Sequence, residues 1–268
     1  MIECVRPGVN AKHTRVALFD FDGTLSLILS GWIDIMVPMM VEVLVDLKTG
    51  EKEADLRAIV EEFVGNLTGK QTVYQMIALA EEVTKRGGTP EDPLVYKKRY
   101  LDRLWVKIEH RVEGLKAGRI SPEEYLIPGS RALLEALKER GYRMYLASGT
   151  DHAYMAEEAR LLDVTRYFDG GVYGALDDYK SFSKAILIKQ VIENAGYRGE
   201  EFLGFGDGYV EIENVKQVGG ITIGVASDEP ECLKIDEWKR NRLINVGADF
   251  IVPNFLEHQK LFAQLFPE

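Results

Sequence analysis

Short apolar runs, each halted by a small or acidic residue, recur along this chain of 268 residues: "RVALFD" at 15–20, "YRMYLASG" at 142–149, "EFLGFGD" at 201–207, "GITIGVA" at 220–226 and "DFIVP" at 249–253. Their length and their β-branched or aromatic content fit buried strands. Helical patterns separate the later runs. In "PGSRALLEALKERGY", Ser130 reads as the N-cap, Leu133, Leu134 and Leu137 share a face, and Gly141 ends the helix. "FSKAILIKQVIENAGY" repeats that logic, with Ile188, Val191 and Ile192 on one face and Gly196 as the stop. Strands alternating with helices call for a parallel sheet covered on both faces, so the fold class is α/β with a Rossmann-like core.

The first strand breaks this rhythm. After it come helical patterns alone, including "VYQMIALAEEVTKRGG" and "VYKKRYLDRLWVKIEHRVEGLKAG". A connection from strand to helix usually takes a few residues. Residues 26–125 therefore read as an inserted, mainly helical cap domain, with 1–25 and 126–268 forming the core. The most apolar stretch, "WIDIMVPMMVEVLVDL", carries Asp34, Pro38, Glu42 and Asp46, which fits a helix buried in protein rather than lipid. The cluster Met36, Met39 and Met40 within it reads as cap core.

Composition excludes several partners. A formal net charge of −10 offers no basic footprint for nucleic acid or anionic lipid. No apolar run approaches the ~20 residues of a membrane span, and "MIECVRPGVNAKHTR" lacks the apolar centre of a signal peptide. Cys4 and Cys232 are far apart with no ligand spacing, so a reduced, cytoplasmic setting is expected.

In an open parallel sheet, ligands bind beyond the carboxyl ends of the strands. The residues gathered there are Asp20 and Asp22, then Ser148, Gly149 and Thr150, then Gly206, Asp207 and Gly208, with Lys184 at the start of the helix before the third group. Isolated charges at the end of a buried strand are costly, so Asp20 and Asp22 require partners. Three carboxylates, a lysine, a hydroxyl and glycine-exposed amides suit a hard cation and a phosphoryl group.

This set resembles the haloacid dehalogenase-like hydrolases, specifically the phosphatase and phosphomutase branch whose helical cap follows the first motif. The matching motifs are "DFDGTL" from Asp20, "LASGT" around Ser148, a lysine, and "GFGDGYVE" through Asp207 to Glu211. The resemblance implies Asp20 as nucleophile and Asp22 as general acid and base. It implies a Mg ion on Asp20, Asp22 through its backbone carbonyl, and Asp207. Ser148, the Gly149 amide and Lys184 would hold the phosphate, with Thr24 and Glu211 in support. Two departures stand out: Glu211 replaces a commoner aspartate and is expected to act through a water or a backbone amide, and Lys180 competes with Lys184 as the motif lysine. The implied activity is Mg-dependent hydrolysis of a small phosphorylated metabolite, with a lean towards sugar, polyol or phosphoglycolate-like esters.

The chemistry follows independently. A phosphate dianion repels an attacking carboxylate unless a divalent cation neutralises both, and an aspartyl phosphate then divides hydrolysis into two easier steps. The rivals are a phosphomutase of the β-phosphoglucomutase type, which would retain the intermediate, a phosphonatase using Lys70, and a non-catalytic phosphate-binding module. Asp22 argues against a dehalogenase.

Other motifs fail. "GFGDGY" has Tyr209 where a dinucleotide fingerprint needs glycine, and "NLTGKQT" lacks the first glycine and the terminal Ser or Thr of a P-loop. His13, His110, His152 and His258 show no ligand spacing, with His152 the one placed near the site. The polar break "LTGKQT" in the cap is the feature least explained by packing, and Lys70 and Gln71 are the expected contacts to the leaving group.

Overall fold

Val16 to Phe19, apolar at every position, form a fully buried strand with a parallel neighbour on either side. The computed structural model describes residues 2–176 and 183–267. Among these the sheet comprises β1 (Glu3–Cys4), β2 (Val16–Phe19), β3 (Arg143–Asp151), β4 (Gly171–Ala175), β5 (Phe202–Gly206), β6 (Ile221–Val225) and β7 (Phe250–Val252). Their order is β1-β7-β6-β5-β2-β3-β4, parallel throughout except where β1 meets β7 at one edge. From β2 the chain moves to β3 and β4 on one side and later to β5, β6 and β7 on the other. The crevice at the carboxyl end of β2, β3 and β5 is thus a topological switch point.

Register carries the strand ends to one level. Phe19 lies opposite Leu146 on β3 and Phe205 on β5. The rings of Phe19 and Phe205 stack with centroids 4.3 Å apart, a rigid apolar floor directly under Asp20.

The helices between β2 and the next core helix are α1 (Ile33–Val45), α2 (Glu53–Asn66), α3 (Thr72–Lys85) and α4 (Pro93–Lys116). Asp92 caps α4 by accepting a bond from the Leu94 amide at 2.8 Å, and Pro93 opens it. Tyr96, Tyr100, Leu104, Ile108 and Val112, each four residues on, form its buried stripe. The core helices are α5 (Ser130–Glu139), α6 (His152–Leu161), α7 (Lys184–Ala195), α8 (Tyr209–Gln217), α9 (Glu237–Asn245) and α10 (His258–Leu265). One apolar cluster runs unbroken from Phe19 and Phe205 through Leu25 and Ile28 into Met40 of α1 and Tyr100 of α4. No helix among the described residues is long and apolar enough to cross a membrane.

Two details differ from the expectation. Ser130 is the first helical residue of α5 rather than its cap; Gly129 occupies the cap in a left-handed conformation, φ +85°, that serine rarely adopts. The edge strands β1 and β4 also escape sequence patterning, being two and five residues long with glycines at both Gly171 and Gly174 of β4.

Candidate active site

The amide of Asp20 still donates to the Phe205 carbonyl at 2.9 Å, so its backbone is part of the sheet while its side chain stands at the strand end. The chain then turns sharply, with the Phe21 carbonyl accepting from the amides of Leu25 and Ser26 at 2.8 and 2.9 Å. This turn presents Asp22 to the same pocket. The Thr24 hydroxyl, fully buried, accepts from the Asp207 amide at 2.9 Å and ties the turn to the end of β5.

Asp20 is buried, and its Oδ1 accepts from Lys184 Nζ at 2.7 Å. Lys184, the first residue of α7, is itself buried and also pairs with Glu211 Oε1 from α8. Lys184 is thus the lysine that pairs with Asp20; Lys180 lies outside the described residues. Glu211 pairs with that lysine directly. Burial pushes Asp20 up to about 7, opposed by Lys184 and reinforced by the charges of Asp207 and Asp22.

Asp22 is bound from one side. Its Oδ2 accepts from the hydroxyls of Ser148 at 3.0 Å and Thr150 at 2.8 Å, and its Oδ1 has no partner among the described residues. Burial raises it to about 6, while those two hydroxyls pull it down. Ser148 Oγ in turn accepts from the Thr150 amide at 3.0 Å. Asp207 Oδ2 accepts from Lys239 Nζ of α9 at 3.2 Å, and Lys239 also donates to Glu229 at 2.6 Å. Burial alone would depress that lysine, but the two carboxylates outweigh it and raise it.

Residues 67–71 of the insert close over this floor. A Cβ on Gly149 would lie 2.5 Å from the Lys70 carbonyl oxygen, so only glycine permits the approach. Lys70 lines the pocket with Asp20 and Asp22, its ammonium 6.0 Å from the Tyr74 ring. Gln71 is buried and lines, with Lys184, a neighbouring recess that shares Gly69, Lys70, Ser148 and Gly149 with the pocket, not the pocket itself. His152 accepts from the Gly174 amide at 3.3 Å through Nδ1 and does not line the pocket.

Trp32, Gln75 and Tyr100 line the pocket without having been singled out as contacts, and Thr150 lines it from the strand end. Met36 is core with Met39 and Met40 and also borders the pocket. Among the described residues no three His, Cys, Asp or Glu side chains converge as a metal centre. Asp20, Asp22 and Asp207 nevertheless line one pocket, a set of hard oxygens that suits a divalent cation, whose charge would offset the mutual repulsion of the three acids.

A mostly parallel sheet with three carboxylates gathered at its switch point, under helices that follow β2, is an α/β architecture with a ligand pocket at the strand ends. The family model described as haloacid dehalogenase-like hydrolase matches residues 14–219, and the chain belongs to that family. A 5'-nucleotidase of Pseudomonas aeruginosa is 30% identical over 128 residues, 46% of this chain. That match spans 55% of the relative, so the chain corresponds to about half of its length. Among solved structures, a "predicted phosphatase" from Clostridium acetobutylicum aligns with TM-score 0.58 and 19% identity, covering 94% of this chain and 99% of that one. A β-phosphoglucomutase from Clostridium difficile aligns with TM-score 0.56 and 14% identity, over 87% and 98%. Both likenesses are of fold.

Proposed function

We propose that this chain is a Mg-dependent phosphatase that hydrolyses a small phosphate monoester through an aspartyl phosphate. The observation that carries this reading is the pairing of two aspartates with different partners in one pocket: buried Asp20 held by a lysine, half-buried Asp22 by two hydroxyls. Lys184 occupies one oxygen of Asp20, which leaves Oδ2 to attack phosphorus. The P–O ester bond breaks as the new bond forms. Asp22, raised to about 6, gives its proton to the departing alkoxide and then takes one from the water that attacks the intermediate. Ser148 and the Gly149 amide hold phosphoryl oxygens, and Lys184 balances their charge. Bound Mg on Asp20, Asp207 and the Asp22 carbonyl supplies charge neutralisation between nucleophile and phosphoryl group.

In this reading residues 1–25 and 126–268 are the catalytic core, and 26–125 a cap that selects the leaving group through Lys70 and Gln71. Sugar and polyol phosphates head the substrate panel, joined by nucleotides because of the relative named a 5'-nucleotidase. Phosphate release from such a panel should require Mg and stop with EDTA. Asp20→Asn should stay folded and release none, because an amide does not attack phosphorus. Full activity of that variant, or turnover in EDTA equal to that with Mg, would sink the mechanism. A mutase would instead return the phosphoryl group to substrate and release little.

A further inference from the structure

A second cleft adjoins the phosphoryl pocket, sharing Leu29 and Thr150 with it. It runs between α4 of the insert and α6 of the core. Two ion pairs pin these helices on either side, Lys97 to Asp151 at 2.5 Å and Lys116 to Glu157 at 3.1 Å. Between the ties, α4 lines the cleft with Leu101, Leu104, Trp105 and Ile108, spaced three and four apart as one helix face requires. From the other wall α6 supplies Tyr154 and Glu158. The space measures about 410 Å³ against about 80 Å³ over Asp20, so the larger part of a ligand would lie here.

Two features of the cleft are left unexplained by folding. Trp105 and Tyr154 remain 39% and 53% exposed beside an apolar wall, their ring surfaces not consumed by packing. Glu158 is only 6% exposed, yet its Oε2 has no hydrogen-bond partner among the described residues. Burial holds its carboxyl well above the usual range, with the charges of Asp22 and Glu157 adding to the effect. Its carboxyl lines the cleft with an oxygen that no described residue bonds, open to a hydrogen bond from a ligand's edge.

We infer that this cleft receives the leaving group of the substrate, and that the leaving group bears a flat heteroaromatic ring with a hydrogen-bonding edge, as in a nucleoside monophosphate. Trp105 and Tyr154 offer faces for the ring, and the unpartnered carboxyl oxygen of Glu158 offers a hydrogen-bonding group to its edge. The ribose of such a substrate is itself a phosphorylated sugar, so the compact polar pocket and the apolar cleft serve successive parts of one molecule. This assignment rests on the phosphatase reading above.

Nucleoside 5'-monophosphates should exceed ribose 5-phosphate in kcat/KM by at least about tenfold, the scale of one stacked base. Trp105→Ala and Glu158→Leu should each cut that ratio by about the same factor, while Glu158→Gln, which keeps a hydrogen-bonding group, should retain most of it. Equal kcat/KM for nucleotide and ribose 5-phosphate, or a ratio untouched by Trp105→Ala, would overturn the inference. A binding measurement separates it from the reading beneath it: calorimetry with unphosphorylated nucleosides should show binding to the Asp20→Asn protein and its loss on adding Trp105→Ala. If no ester releases phosphate but nucleosides bind in this way, the phosphatase reading fails and takes the leaving-group assignment with it, leaving a nucleoside site in the cleft. If esters are hydrolysed but nucleosides neither bind nor confer an advantage, the cleft assignment fails alone.

Discussion

Asp22 is served unequally, with two hydroxyls on Oδ2 and none on Oδ1, and this asymmetry sets how it titrates. Hydroxyl donors favour the carboxylate over the acid. In Thr150→Val one donor is gone, so the acid form persists to higher pH. The basic limb of kcat for an alkyl phosphate, where Asp22 must be protonated, should then move upward by about one unit, since a bond to a charged group is worth roughly 1.5–3 kcal/mol and one unit is about 1.4 kcal/mol. A limb that stays put or moves downward would remove Thr150 from this role. Asp22→Ala should cost about 10²–10⁴ in rate for the same ester. For p-nitrophenyl phosphate, whose leaving group needs no proton, burst kinetics should show a smaller loss in the first step. Equal first-step losses would reject Asp22 as the acid.

At the scale of elements, the loop joining α2 to α3 touches the end of β3, with the Lys70 carbonyl against Gly149. Under the proposed function, contact at that point would let the loop read whatever leaves the phosphoryl group. Lys70→Ala should lower kcat/KM for the best physiological ester by at least about tenfold, or roughly 1.4 kcal/mol, with little change for p-nitrophenyl phosphate. Parallel losses on both substrates would mean that the loop shapes the floor and does not select. Sequence patterning reached this far because strand-end residues and loop composition are local signals. Asp20 and Asp207 follow directly on β2 and β5, Asp22 lies in the turn after β2, Ser148 near the end of β3 and Lys184 at the start of α7, and all five come together. Tyr100 was hidden because it sits in an i, i+4 apolar stripe that reads as core, although one end of the ring meets the pocket. Lys239 was hidden because nothing local links α9 to Asp207; only the lateral order of β5 and β6 brings them together. The end of β3 carried Thr150 as a third polar residue, but its bond to Asp22 depends on a partner 128 positions away.

Across the whole molecule, Lys184 joins three elements: it bonds Asp20 after β2 and Glu211 in α8 from the first turn of α7. Lys184→Met would leave two buried carboxylates unpaired, a loss of about 3–5 kcal/mol by comparison with other broken buried pairs. Urea unfolding should show it, and adding Glu211→Gln should recover part of the loss; a lysine variant as stable as the parent would contradict this account. The unbroken apolar cluster has a different bearing. Because Leu25 and Ile28 share one interior with Met40, Tyr100 and Phe205, a dry apolar cluster joins the insert to the sheet beside the open cleft of α4 and α6. Its helices are not a module that can be exchanged between relatives: a chimera carrying a foreign 26–125 would inherit half of someone else's interior, and its junctions would fail in solubility before any question of specificity arose.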